Sequence, residues 1–157
     1  LISGRYDNPV QVMINDSIEI FAEDLIDDIA YLAQEPKLAE MTIAENLLLF
    51  SNTKNISNPQ LANIFSVLIL NLNKQEDTYV SSDVQGLSVG QRRAISLINV
   101  LNSNKPIIIL DEPLSNLDSN LKEQVWEVIQ TEKNNRIFII SLHEDKYINM
   151  CDKIINL

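Results

Sequence analysis

The stretch PIIIL, Pro106–Leu110, running straight into Asp111, constrains this chain more than any other segment. A strand that is apolar on both faces must be covered on both, which is the situation of a strand in the middle of a parallel sheet. Arg136–Ser141 reads as another buried strand, Ile29–Ala33 as a short apolar one, and Lys153–Leu157 as the beginning of one more. Val10–Ile14 and Ile18–Phe21 are β-rich runs separated by Asn15–Asp16–Ser17, a hairpin-like turn signal.

Helical periods lie between and after these strands. Leu1–Gly4 reads as the end of a helix, and Asp24–Asp28 as one helical turn. Met41–Phe50 carries Thr42 followed by Glu45, a capping-box spacing. Asn58–Leu72 places Leu61, Ile64, Phe65, Leu68 and Leu72 on one face, and Gln91–Leu101 does the same with Ala94, Leu97, Ile98 and Leu101. Asn73–Gln85 is polar and loop-like. Asn120–Glu132 follows Asp118 and Ser119 as candidate caps, and His143–Met150 reads as a short helix. The expected plan is α/β, a mostly parallel sheet with an inserted helical segment. With 157 residues and 45% hydrophobic residues, one domain with a real core is affordable.

Charge narrows the function classes. Twelve basic against 22 acidic residues give a formal net charge of −10, which disfavours general nucleic-acid binding. One cysteine, Cys151, rules out an intramolecular disulfide and fits a reducing compartment. No apolar run reaches the roughly 18 residues of a membrane span, and the N-terminus does not resemble a secretory leader.

Several short motifs carry possible chemistry. In IIILDEP, Ile107–Pro113, an acidic pair stands at the carboxyl end of a strand, where open parallel sheets collect ligands. Asp111 there can hold Mg²⁺ and Glu112 can orient or deprotonate a water; a solvated acidic turn fits the same residues. In LSVGQ, Leu87–Gln91, a hydroxyl, a glycine and the free N–H groups of a helix start can make an anion site; read alone, an ordinary N-cap and turn accounts for it better. LSNLD, Leu114–Asp118, reads as a turn and cap. His143, the one histidine, stands two residues past a strand neighbouring the acidic one and is within reach of a phosphate there, or is simply exposed. Gln34, alone, carries little.

In combination, the order and spacing of LSVGQ, IIILDEP, LSNLD and SLHED resemble the ATP-binding-cassette family: its signature motif, Walker B strand, D-loop and H-loop. Gln34 in AYLAQEP is similar to the Q-loop, and TIAENLLL, Thr42–Leu49, to the segment that follows it in exporter-type cassettes. The resemblance implies a P-loop NTPase-like (RecA-like) core, residues 1–35 and 103–157, with an inserted α-helical signature subdomain, residues 36–102, both ends reading as cut. It implies ATP and Mg²⁺ as cofactors. Asp111 would help bind Mg²⁺, with Gln34 sensing the metal and water. Glu112 would be the general base, and His143 would contact the γ-phosphate. Ser88, Val89, Gly90 and Gln91 would touch ATP held by a second nucleotide-binding domain in a head-to-tail dimer, and Asp118 would lie across that interface. A transmembrane domain, fused or separate, would be the other partner, and the place the cytoplasmic face of a cell membrane.

Two departures stand out. Val89 occupies the position of the signature's first glycine. No G-x-x-x-x-G-K-[ST] phosphate loop occurs in the 157 residues, so this chain by itself is expected not to hydrolyse ATP, and its cut sheet to be marginal alone or oligomeric. The alternatives are a soluble ATPase of the same family outside transport, or a non-catalytic interaction module.

Overall fold

The structure, a computed structural model, describes residues 11–14, 18–50, 56, 58–72, 77–80 and 87–155. The expected helix end at Leu1–Gly4 and the turn at Asn15–Ser17 lie outside the described residues. Strands β1 (Gln11–Ile14) and β2 (Ile18–Phe21) pair antiparallel, with Gln11 opposite Phe21 and Ile14 opposite Ile18. A 3-10 segment, Ala22–Asp28, leads into β3 (Ile29–Leu32). Helices α1 (Ile43–Leu48), α2 (Pro59–Leu72) and α3 (Val89–Leu101) follow, then β4 (Ile107–Asp111), α4 (Ser119–Glu132), β5 (Ile137–Ser141) and α5 (Asp145–Ile148).

β3, β4 and β5 form a parallel sheet in that order, so the Ile-rich strand is indeed central. The register sets Leu32 beside Leu110, and Asp111 beside Ser141. One face carries Ala30, Leu32, Ile108 and Leu110, all buried. The other is only partly covered. Two expectations are corrected here. β5 is not a buried strand but an edge of this sheet, with Ile137 61% and Ile139 41% exposed. Residues 153–155 form no strand, and Leu157 lies outside the described residues.

α3 is the central pillar. It begins at Val89, two residues earlier than its period predicted, and is buried on every side from Arg93 to Leu101. The apolar stripe Ala94, Leu97, Ile98 and Leu101 accounts for only part of that. α1 and α2 pack on α3, α3 packs on β3, and α2 also packs on α4. Leu61, Ile64 and Phe65 of α2 join the same core. Two of the polar residues this buries find partners nearby: Asn99 Oδ1 accepts from the Phe50 N–H at 3.1 Å, and Asn46 pairs with both the N–H and the carbonyl of Ala39. The loop Thr78–Val80 docks on the start of α1, through Ile43 N–H to the Thr78 carbonyl and Val80 N–H to the Met41 carbonyl.

At the opposite end Arg136 binds the elements together. It pairs with Glu132 and donates to the carbonyls of Ser103 and Leu101, satisfying the end of α3. Asn58, just before α2, donates to the same Glu132 at 2.8 Å. α5 is held by Tyr147, whose ring meets Trp126 of α4 at 5.0 Å between centroids. No helix among the described residues is long and apolar enough to cross a membrane.

Candidate functional site

The carboxyl end of the sheet gathers Asp111, Glu112, Ser141 and His143. β4 delivers Asp111, and the chain then turns sharply, with Glu112 in left-handed backbone at φ 46°. For a residue with a Cβ that conformation costs about 1–3 kcal/mol and persists only where its surroundings enforce it. Here both sides of the residue are held. Its N–H donates to Ser141 Oγ at 2.8 Å. Its carbonyl accepts from a guanidinium nitrogen of Arg93 and from the Ser115 N–H at 3.1 Å. Ser141 Oγ in turn donates to Asp111 Oδ1 at 2.8 Å, so one hydroxyl ties the two acidic residues together.

The turn aims the Glu112 side chain at His143, with Oε1 2.8 Å from Nε2. The carboxylate is largely sheltered, at 26% exposure, and the imidazole faces solvent at 77%. A carboxylate hydrogen-bonded to an accessible imidazole can take a proton from a water at the sheet edge and pass it on. Among the described residues, no three carboxylate, histidine or cysteine side chains are grouped to hold a metal. Mg²⁺ usually binds through one or two carboxylates, completed by waters and phosphate oxygens. Asp111 at the strand end, with one oxygen oriented by Ser141, fits that sparse donor set.

LSVGQ starts α3, and its local chemistry is a complete capping box. Ser88 Oγ accepts from the Gln91 N–H at 3.2 Å, and Gln91 Oε1 accepts from the Ser88 N–H at 2.7 Å. The N–H groups of Val89 and Gly90 remain without an intrahelical acceptor, as in any first turn. Val89 is 60% exposed. Gly90 serves a neighbour in its own chain: a Cβ there would sit 3.0 Å from the Asn116 carbonyl oxygen. Asn116 is the second left-handed residue, at φ 61°. Asp118 caps α4, accepting from the Leu121 N–H at 3.0 Å. Ser88, Gly90, Gln91, Asn116 and Asp118 therefore line one surface cleft of about 410 Å³, floored by apolar residues of α2 and α4. Two motifs whose starts are 27 residues apart in the sequence, Leu87 and Leu114, meet there.

Gln34 lies just past β3 with its side chain exposed. The atom that connects it to the site is its backbone carbonyl, which accepts from Arg93. Arg93 and Ser141 were not singled out from the sequence. Arg93 did leave a signal: it falls in phase with Leu97 and Val100 on the apolar part of α3, where a charge needs partners. Burial pushes its guanidinium below the ordinary arginine range, and the charges of Glu112 and Asp111 oppose that shift. Ser141 left none, because its role depends on the register of β5 against β4.

Comparisons with known proteins bear on the family. The family described as ABC transporter matches residues 2–115. The chain is 39% identical over 89 residues, 55% of its length, to a phosphonates import ATP-binding protein of Mesoplasma florum, of which this covers 35%. It is 32% identical over 132 residues, 80% of its length, to an ABC-type transporter of Aureobasidium melanogenum, covering 10% of that protein. It is 29% identical over 161 aligned residues, 96% of its length, to multidrug resistance protein homolog 65 of Drosophila melanogaster, covering 12% of it. The chain thus spans about a third or less of these relatives. A family match over more than two thirds of the chain, joined to a parallel sheet that ends in Asp111–Glu112 and a helix that starts in LSVGQ, shows that the chain belongs to the ABC transporter family, within its ATP-binding domain.

Proposed function

We propose that this chain forms the Walker B and signature part of an ATP-hydrolysing engine that drives transport across a membrane, of the exporter type. The observation that carries the reading is the pairing of Glu112 with His143 beside Asp111 at the sheet's carboxyl end. In this reading Glu112 accepts a proton from water as the water oxygen bonds the γ-phosphorus and the bond to the β-phosphate oxygen breaks. His143 contacts the γ-phosphate, and Gln34 responds to the metal and water. Mg²⁺ held with Asp111 supplies charge neutralisation on the phosphates. Ser88, Val89, Gly90 and Gln91, with Asp118, face ATP held by a second nucleotide-binding domain in a head-to-tail dimer, and residues 36–102 act as the signature subdomain. A transmembrane domain, fused or separate, places the assembly on the cytoplasmic face of a membrane. The exposed first turn of α3 and the cleft beside it support an outward-facing role for LSVGQ.

The test is ATP turnover, measured in the 157-residue chain and in the chain joined to a family phosphate-loop segment. We expect no sustained turnover from the chain alone, since no phosphate loop is in its sequence. In the joined form, Glu112→Gln should lower turnover by about 100-fold or more. Sustained turnover by the chain alone that Glu112→Gln abolishes refutes the first expectation, and joined-form turnover indifferent to Glu112→Gln refutes the reading.

A further inference from the structure

We infer that Arg93 is a positioning residue that makes the first turns of α3 and the Asp111–Asn116 loop one mechanical unit, so that the signature end of the helix acts on Glu112 within the same chain. The inference deepens the proposed reading and rests on it for the role of Glu112.

Arg93 is 2% exposed and lies five residues after the Ser88 cap. One guanidinium nitrogen donates to the Gln34 carbonyl. The other donates to the carbonyls of Asp111, at 2.7 Å, and Glu112. One buried cation thus joins the ends of β3 and β4 to α3. Its Nε has no hydrogen-bond partner among the described residues, so the charge is spent on these three carbonyls. Charge-assisted hydrogen bonds of this kind are about twice as strong as neutral ones. They act on the residue that most needs holding, because Glu112 sits in left-handed backbone and its direction towards His143 depends on that turn.

A second contact lies one turn earlier. Gly90 packs against the carbonyl of Asn116, the other left-handed residue of the loop. Both strained residues are therefore braced by the start of α3, one under Arg93 and one under Gly90. A displacement of Ser88–Gln91 would be carried to Glu112 through the guanidinium and to Asn116 through the close backbone contact.

The chain offers two internal reporters, a single histidine and a single tryptophan. His143 reads the site. Trp126, 4% exposed in the core, reads the fold. We would record the His143 imidazole resonances in Arg93→Met and, for calibration, in Glu112→Ala. Arg93→Met is expected to move them from the native position towards the Glu112→Ala position while Trp126 emission stays native. Arg93→Lys, which has one nitrogen and cannot span the Gln34 carbonyl and the strand-end carbonyls together, should fall between. A folded Arg93→Met with native His143 resonances overturns the inference. Should the variants fail to fold, the native protein decides: a clamped guanidinium shows separate, slowly exchanging Nη resonances on cooling, and a single averaged set overturns the inference. ATP turnover that ignores Glu112→Gln would instead defeat the reading of Glu112 as base, leaving the clamp itself standing.

Discussion

Among the described residues, two with side chains, Glu112 and Asn116, adopt backbone that glycine would adopt without cost. One glycine, Gly90, sits in ordinary helix because its neighbour leaves no room for a Cβ. This distribution yields paired expectations. Glu112→Gly should raise stability by about 1 kcal/mol through relief of left-handed strain, since its partner His143 faces solvent and the pairing contributes little to folding. Gly90→Ala should lower stability by about 1–3 kcal/mol, because the atom in the way is a backbone carbonyl that cannot swing aside. Urea unfolding of the two variants checks both signs, and a destabilised Glu112→Gly would mean that the carboxylate supports the turn it strains. At this scale the sequence offered Asp111, Glu112 and His143 as candidates, and their grouping came from the resemblance to the ATP-binding-cassette family. It could not announce Ser141, whose hydroxyl meets Asp111 and Glu112 only through a strand register.

The elements divide by where their interactions lie. Caps are local, and each expected one formed: Thr42 with Glu45, Ser88 with Gln91, and Asp118 on α4. The same locality explains why the capping account of LSVGQ and LSNLD and the functional account do not compete. Capping fixes the Ser88, Gln91 and Asp118 side chains along one cleft wall. Asp118→Ala is expected to lower the stability of α4 and the chain by about 1 kcal/mol, and Asp118→Asn by a few tenths, since asparagine also caps. Equal losses in thermal melts would mean that the charge rather than the cap matters there. Strand burial was the less readable property. β4 is central as its continuous apolar run implied, whereas β5, with a similar run, ends as an edge because among the described residues only β4 pairs with it.

For the whole molecule, the partly covered sheet face is the most consequential feature. Ile137 and Ile139 are exposed on the β5 edge, with Ile107 and Ile109 of β4 half-buried beside them. A contiguous exposed apolar face on a strand that, among the described residues, pairs on one side only favours association. Light scattering is expected to find the 157-residue chain oligomeric, and Ile137→Thr with Ile139→Thr to shift it towards the monomer. A monomeric native chain that melts cooperatively would overturn this expectation. The Arg136–Glu132 pair, just before Ile137, ties α4 to the end of α3 and to Asn58 at the start of α2.

By itself the sequence determined the order of the elements from Gln11 to Ile148, the N-caps of three helices and the central place of Pro106–Leu110. All of these follow from periodicity and short-range spacing, which neighbouring residues impose on each other directly. Only the tertiary structure decided that Arg93 is buried against three carbonyls, that Gly90 lies against Asn116, that Ser141 bridges the acidic pair, and that Ile137 and Ile139 of β5 are exposed. Those facts depend on which distant segments are brought within hydrogen-bond or van der Waals reach. No local spacing encodes that distance, and here it is set by how α3 seats between the helices and β3.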